Sequence, residues 1–414
     1  MPILQVTIQA LAPLVFSERR PGNQFRSSAS YIPGGVLRGA LAREMLEAGE
    51  KPDPGSAFEA LFLQTEAPLF RNAYPASLGL KDATSGYVAA RPLPATAWSC
   101  KAESGFRPQG HGVYDGLIDR LCAEMLGCRV PYLPRCSHKD HKNAGERVEA
   151  FTGFYAGAQA AGYESVSPPT HLTARAALNR QRRVAQEGML YNPLVIQEVQ
   201  PQPGGGSLPT VFVGSIVAQE NIVALLQHRL AEVSHIGSGV SRGFGRVQIT
   251  VETCNDAGDP AARMESFNAA LTRRRRLWEQ LPCRKDFSAG RFFSILLLSD
   301  AALREDGGWT PTVRLEPQMI GPELADVTLV RSYASADYRG GWNTAWGLPK
   351  DTEVVARMGS IYVYYVPEDL PERDWAGIFR RLEEQGVGMR RQEGLGQVRI
   401  CDDFHLSIKE GNDE

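Results

Sequence analysis

No run in this 414-residue chain holds the roughly 18 consecutive apolar residues a membrane helix needs. Its opening, MPILQVTIQA, lacks a basic segment and a small-residue cleavage site, so it does not read as a signal peptide. No membrane partner is expected, and a cytoplasmic location is. Cysteine is scarce. Seven residues, an odd number, do not make a disulfide scaffold, and Cys100, Cys122, Cys128 and Cys136 crowd into one stretch, which points to metal. Histidine is absent before His111. No G-x-x-x-x-G-K-[ST] surrounds the glycine-rich segments, and each follows a helix and enters a strand, the reverse of the dinucleotide order, so neither is a nucleotide loop. An excess of one charge is missing too. A net charge of −2 excludes a protein that coats nucleic acid over its whole surface but leaves room for a local basic groove.

What is present is an ordinary globular composition, 43% hydrophobic and 22% charged, with length for two or three domains. Leu4, Val6, Ile8 and Ala10 alternate with polar residues, as in a strand buried on one face. Pro33-Gly34-Gly35 then breaks the chain before a helix whose apolar stripe is Val36, Leu37, Ala40, Leu41 and Met45, with Arg38 and Arg43 off it. VFVGSIVAQ reads as a strand, NIVALLQHRLAEV as a helix, and HIGSGVSRGFGRVQITV as a glycine loop running into a strand. The same plan returns as MGSIYVYYV, DWAGIFRRLEEQ and GVGMRRQEGLGQVRI, and Phe292 to Leu298 supplies a continuously apolar central strand. Taking the two G-S-I motifs as equivalent, the distance to the last loop glycine is 31 residues in the first copy and 37 in the second. The expectation is an α+β chain of two ferredoxin-like (RRM-type) domains. The first spans residues 1–254, with an insertion at about 52–169; a linker with one arginine-rich helix covers 255–286; the second domain spans 287–414. Between Pro311 and Lys350 turns are clearer than any helix.

In the first loop Gly237, Gly239, Gly243 and Gly245 permit positive φ and close approach, and successive N–H groups can form a concave anion site. Arg242 and Arg246 add forked donors, and Phe244 either stacks on a base or packs inward. The second loop offers Arg390 and Arg391. From His171 to Gln186 the chain carries Arg175, Arg180, Arg182 and Arg183 and no acid, whereas Arg273–Arg276, beside Leu277 and Trp278, reads as a solvated helix face. Such loops suit an extended anionic polymer.

YIPGGVLRGALA, ALNRQRRVAQEGMLYNPLVI and GSGVSRGFGRV resemble the RAMP superfamily of CRISPR-associated proteins. SCK at Cys100, the cysteine/histidine insertion, TGFY at Thr152–Tyr155 and a late W-N-x-x-x-G-L-P-K are similar to one branch, the large two-domain RAMP subunit of subtype III-D effector complexes (the Csx-ten family). The resemblance implies a subunit like the Cas-five group that holds the repeat-derived 5′ tag of the guide RNA, works in antiviral defence, and adjoins a large polymerase-like subunit and backbone RAMP subunits, meeting target RNA indirectly. Carried onto this chain, RNA binding falls to Arg38, Arg180, Arg182, Arg183 and the loop Gly237–Arg246, with Arg390 and Arg391 in the second loop. Trp342 and Trp346 are stacking candidates, although tryptophan is more often a core or interface anchor.

Cys136-x-His138-x-x-His141 lies downstream of the other clustered cysteines, and thiolate plus imidazole suits tetrahedral zinc. The expected structural zinc set is Cys100, Cys128, Cys136 and His141, with Cys122 and His138 as alternates; Cys122 equally fits an apolar helix face with Leu117, Leu121 and Met125. No catalytic residue is expected. The competing reading, a RAMP endoribonuclease that processes guide or cleaves target RNA, would rest on His235 or Asp115.

Overall fold

The alternation at the N-terminus folds as read: in β1 (Ile3–Ala10) Leu4, Val6 and Ile8 are fully buried. The computed structural model describes residues 1–16, 28–77, 87–128, 132–136, 145–158, 162–173, 175–179, 181–191, 193–201, 205–254, 258–283, 290–305, 308–343, 347–370 and 373–409. Pro33 takes φ −61° and opens α1 (Gly34–Glu47), which turns Leu37, Leu41 and Met45 onto β1. A second strand follows in two pieces, β2 (Leu69–Phe70) and Tyr74–Ser77, then β3 (Val211–Val217), α2 (Val223–Glu232) and β4 (Val247–Cys254). β1 pairs with both β4 and β3, and β3 pairs with β2 and Tyr74–Ser77, all antiparallel. The sheet therefore runs fourth, first, third, second. α3 (Pro260–Trp278) leads to β5 (Gly290–Leu297), β6 (Thr328–Tyr333), β7 (Ile361–Pro367), α4 (Trp375–Gln385) and β8 (Val398–Ile400). β5 lies between β8 and β7, and β7 pairs with β6, so this sheet has the same order. The chain is a mixed α/β protein, and every described strand pair is antiparallel.

The two halves cover their sheets differently. The helix between β5 and β6 is only Pro317–Ile320. α3, expected to link the halves, supplies the missing cover by burying Met264, Phe267, Ala270 and Leu271 in the second core. Its arginine run is therefore not one solvated face. Arg273 and Arg276 are exposed, but Arg274 ion-pairs with buried Asp119 at 2.6 Å, and Trp278 donates to the same carboxylate at 2.7 Å.

The second strand of the first sheet lies inside the stretch expected to be all insertion. Phe58, Leu61, Phe62, Ala90, Phe154 and Ala156 from the same stretch join the first core, while Leu117, Ile118, Leu121 and Cys122 join the core of the second sheet. Arg91 and Tyr155 both reach Asp402, and Phe404 packs edge-on against Phe106 and at a tilt against Tyr155. Arg71 caps the end of α4 through the carbonyls of Glu383 and Glu384. None of the described helices is long and apolar enough to cross a membrane.

Candidate nucleic-acid interface and metal centre

Both glycine loops are built on one backbone plan. In the first, Gly245 N–H donates to Pro13 O (2.9 Å), Ser238 N–H to Val15 O (3.0 Å), Ile236 N–H to Gly245 O (2.8 Å), and Leu11 N–H to Arg246 O (2.9 Å). In the second, Gly396 donates to Asp300 (2.8 Å), Met389 to Ala302 (2.9 Å), Val387 to Gly396 (2.8 Å), and Leu298 to Gln397 (2.8 Å). The offset is constant, 287 residues on the strand side and 151 on the loop side. Each loop wraps one 3₁₀ turn, Val240–Arg242 or Arg391–Glu393, between residues of positive φ: Gly239 and Gly243, Arg390 and Gly394. The loops are thus equivalent, as expected, but the two G-S-I motifs are not. Gly214 lies mid-strand opposite Val6, whose counterpart Phe293 faces Tyr364, while Gly359 belongs to the turn before β7. Gly214 is needed where it is because a Cβ there would meet Ala73 at 2.8 Å.

The loops have different surroundings. Arg242 and Arg246 are exposed, and open space surrounds Gly243, where an added Cβ would meet nothing within 4 Å. Phe244 packs inward on Val15 and Val195 and is not a stacking platform. The second loop is instead pressed against α1 and β2: a Cβ on Gly394 would fall 2.7 Å from Asn72 Oδ1 and 3.1 Å from Gly34 Cα. Arg390 is paired with Glu393 (2.9 Å) and Glu353 (3.1 Å), while Arg391 stays exposed. Arg38 is also turned inward, donating to Phe62 O at 2.8 Å with its guanidinium 5.2 Å from the Phe62 ring centroid. Burial pulls its pKa below the ordinary value, against the field of Glu393.

A two-stranded ribbon leaves each half between its second and third sheet strands. The first pairs Arg175–Asn179 with Val184–Tyr191 and exposes Arg182 and Arg183 at its tip. Arg183 takes positive φ there (51°). Just beyond the ribbon, Ile196 exchanges two 2.9 Å backbone hydrogen bonds with Leu14, so ribbon and first loop hang from the same segment after β1. The second ribbon, Ala336–Asn343 with Leu348–Ala356, occupies the stretch that read as turns and folds onto the second loop through Lys350–Glu393 (2.7 Å). Arg180 and Trp346 lie outside the described residues, and of Trp342 only its place in a strand is described.

One positioning residue escaped the sequence reading. Arg43 donates to His235 O at 3.1 Å and holds the start of the first loop against α1. Its position off the apolar stripe was the available signal, but the contact spans 192 residues.

The metal expectation changes in membership. Cys100, His111 and Cys136 place their donor atoms within 4.8 Å of one another, with Cys136 Sγ 3.6 Å from His111 Nδ1. Tetrahedral zinc bonds of about 2.3 Å to sulfur and 2.0 Å to nitrogen put donors roughly 3.5–3.8 Å apart, so these residues fit zinc. Cys128 is not among them, because its sulfur is bonded to that of Cys283. Cys122 is fully buried on a helix face, and His138 and His141 lie outside the described residues.

Asp115, a candidate slicing aspartate, is buried. It accepts from Leu117 N–H at 2.8 Å and faces His405 Nδ1 at 2.5 Å. His235 is half-buried, with Nδ1 3.0 Å from Ser234 Oγ.

No family model matches the chain, and no curated protein does. Among solved structures, it is similar to a chain of the type III-B Cmr-beta complex bound to cognate target RNA, over 87% of this chain and 86% of that one, at 12% identity and TM-score 0.38. It is also similar to a chain of apo Cmr-beta (61% and 98% covered, 10% identity, TM-score 0.29) and to a Cas6 product complex (49% and 82%, 13% identity, TM-score 0.28).

Proposed function

We propose that this chain is a non-catalytic RNA-binding subunit of a type III CRISPR effector complex, of the III-D Csx-ten kind, that grips the 5′ tag of the guide beside its neighbouring subunits. The observation that carries the reading is the placement of Arg182, Arg183, Arg242 and Arg246. All four are exposed, on a ribbon tip and a glycine loop that share one anchor after β1. Guanidinium groups beside a main-chain loop suit the spaced phosphates of a single strand. Two ferredoxin-like modules are the fold we assign; the support is the strand order, fourth, first, third, second, in both sheets.

Each phosphate contact on a single strand contributes about 0.7 to the slope of log affinity against log salt. Arg242→Ala with Arg246→Ala is therefore expected to flatten that slope by roughly 1.4 in a filter-binding series on single-stranded RNA. An unchanged slope would sink the reading. Endonuclease activity is the rival, and RNA cleavage that disappears in His235→Ala would establish it.

The Cys100–His111–Cys136 group is assigned to structural zinc that staples the inserted sheet. Zinc content should be about one per chain and fall on His111→Ala or Cys136→Ser while surviving Cys128→Ser, measured by atomic absorption. Loss in Cys128→Ser with retention in His111→Ala would restore the set expected from spacing.

A further inference from the structure

The equivalent loops carry opposite charge at one position. Arg242 closes the 3₁₀ turn of the first, and the residue 151 positions on is Glu393. Its carboxylate accepts from Lys350 Nζ at 2.7 Å and Arg390 Nη2 at 2.9 Å, and it lies against the first turn of α1, where a Cβ on Gly35 would be 3.5 Å from Glu393 Oε2. Arg38 is close enough for Glu393 to act on its charge, yet its Nε is buried without a hydrogen-bond partner. Arg304 stands 3.7 Å from Glu353, which also takes Arg390. Four cations (Arg38, Arg304, Lys350, Arg390) thus gather around two carboxylates.

We propose that the second loop is a phosphate site filled by the chain's own Glu393 carboxylate, so that bound RNA runs over the first loop alone. This rests on the RNA-binding reading above. A guanidinium and an ammonium converging on one anion are donors a phosphate takes. The carboxylate satisfies them internally, and it also lets the loop close against α1. A neutral side chain of the same size would leave the four cations facing a single carboxylate and ready for an external oxyanion.

The test is Glu393→Gln. On single-stranded RNA the salt slope should steepen by about 0.7, the increment for one additional phosphate bound, and adding Lys350→Met should return it to the wild-type value. An unchanged or shallower slope in folded Glu393→Gln overturns the proposal. Thermal melting with inorganic phosphate asks the same question without RNA: phosphate should raise the Tm of Glu393→Gln more than that of wild type, and equal shifts overturn it. The RNA reading fails separately, through an unchanged slope in Arg242→Ala with Arg246→Ala, whatever the phosphate melts show. If Glu393→Gln does not fold, photocrosslinking of RNA to the wild-type chain decides. Crosslinks are expected in residues 237–246, and any in 386–396 overturn the proposal.

Discussion

Gly396→Ala is expected to destabilise the second half by about 3 kcal/mol, the sum of roughly 1–2 kcal/mol for a non-glycine residue in the left-handed region and a further 1–3 kcal/mol for overpacking. Gly396 has φ +72°, and a Cβ built on it would lie 1.8 Å from Val387 O, which belongs to the loop's own backbone and not to a flexible side chain. Relief would require opening the Val387 N–H to Gly396 O hydrogen bond (2.8 Å) and the Gly396 N–H to Asp300 O bond (2.8 Å) that fasten the loop to the end of β5. Gly245→Ala meets the equivalent obstacle, Ile236 O at 2.3 Å, and should behave alike. Gly243→Ala is the internal control. Its φ of +84° carries the backbone cost of about 1–2 kcal/mol, but open space removes the steric one. Urea melts of the three variants should therefore rank Gly396 and Gly245 together and well below Gly243. Three equal midpoints would mean the loops are free turns that reshape at little cost.

That contrast also bears on what was legible in the sequence. Period-two alternation marked β1, and a continuous apolar run marked β5, because a strand's burial is written in its own residues. The Pro-Gly-Gly start of α1 was visible for the same reason. The loops were recognised, but aligning them on G-S-I hid their register. Aligning the closing G-F-G with G-L-G instead puts Arg242 opposite Glu393 and shows that only one loop keeps its arginine there. Which loop faces solvent was not legible, since Gly394 is buried by Gly34 and Asn72, more than three hundred residues away. The same holds for the candidate metal group. Proximity along the chain favoured Cys128, whose sulfur is bonded to Cys283, whereas sheet pairing brings Cys100 and Cys136 to His111 in an intervening turn, with Val148 opposite Cys100 and Glu146 opposite Cys136. α3 looked like a solvated linker because its arginines dominate the composition, yet Met264, Phe267 and Leu271 recur at helical spacing and fill the space left by a four-residue helix.

The other large effect is expected at Asp402, where the C-terminal segment fastens the inserted region to the second half. Its carboxylate is fully buried and accepts hydrogen bonds from Arg91 Nη1 at 2.7 Å, Tyr155 Oη at 2.5 Å and Phe404 N–H at 2.9 Å, with the Arg399 guanidinium ion-paired to it at 3.0 Å. Burial alone would raise its pKa, but Arg91, Arg399, His405 and the Tyr155 hydroxyl together hold it well below the usual carboxylate range. Asp402→Asn keeps the shape and removes the buried charge, leaving the two guanidinium groups with only the part-exposed carboxylate of Asp403, 3.8 Å from Arg91 and 3.1 Å from Arg399. Breaking one side of such a buried pair costs about 3–5 kcal/mol. Tyr155→Phe removes a single hydrogen bond and should cost about 1–3 kcal/mol. The sign with pH is fixed by the direction of the shift. A carboxyl whose folded pKa lies below its unfolded value of about 3.9 contributes fully above that pH and loses its contribution as pH falls through the folded value. Wild type should therefore lose its margin over Asp402→Asn progressively below about pH 4, and chemical denaturation at pH 7 and pH 3 measures both numbers. A pH-independent gap between the two proteins would show that the carboxylate's charge does not hold Arg91 and Arg399 in place. Its packing against Phe404 and Tyr155 would then be the fastening.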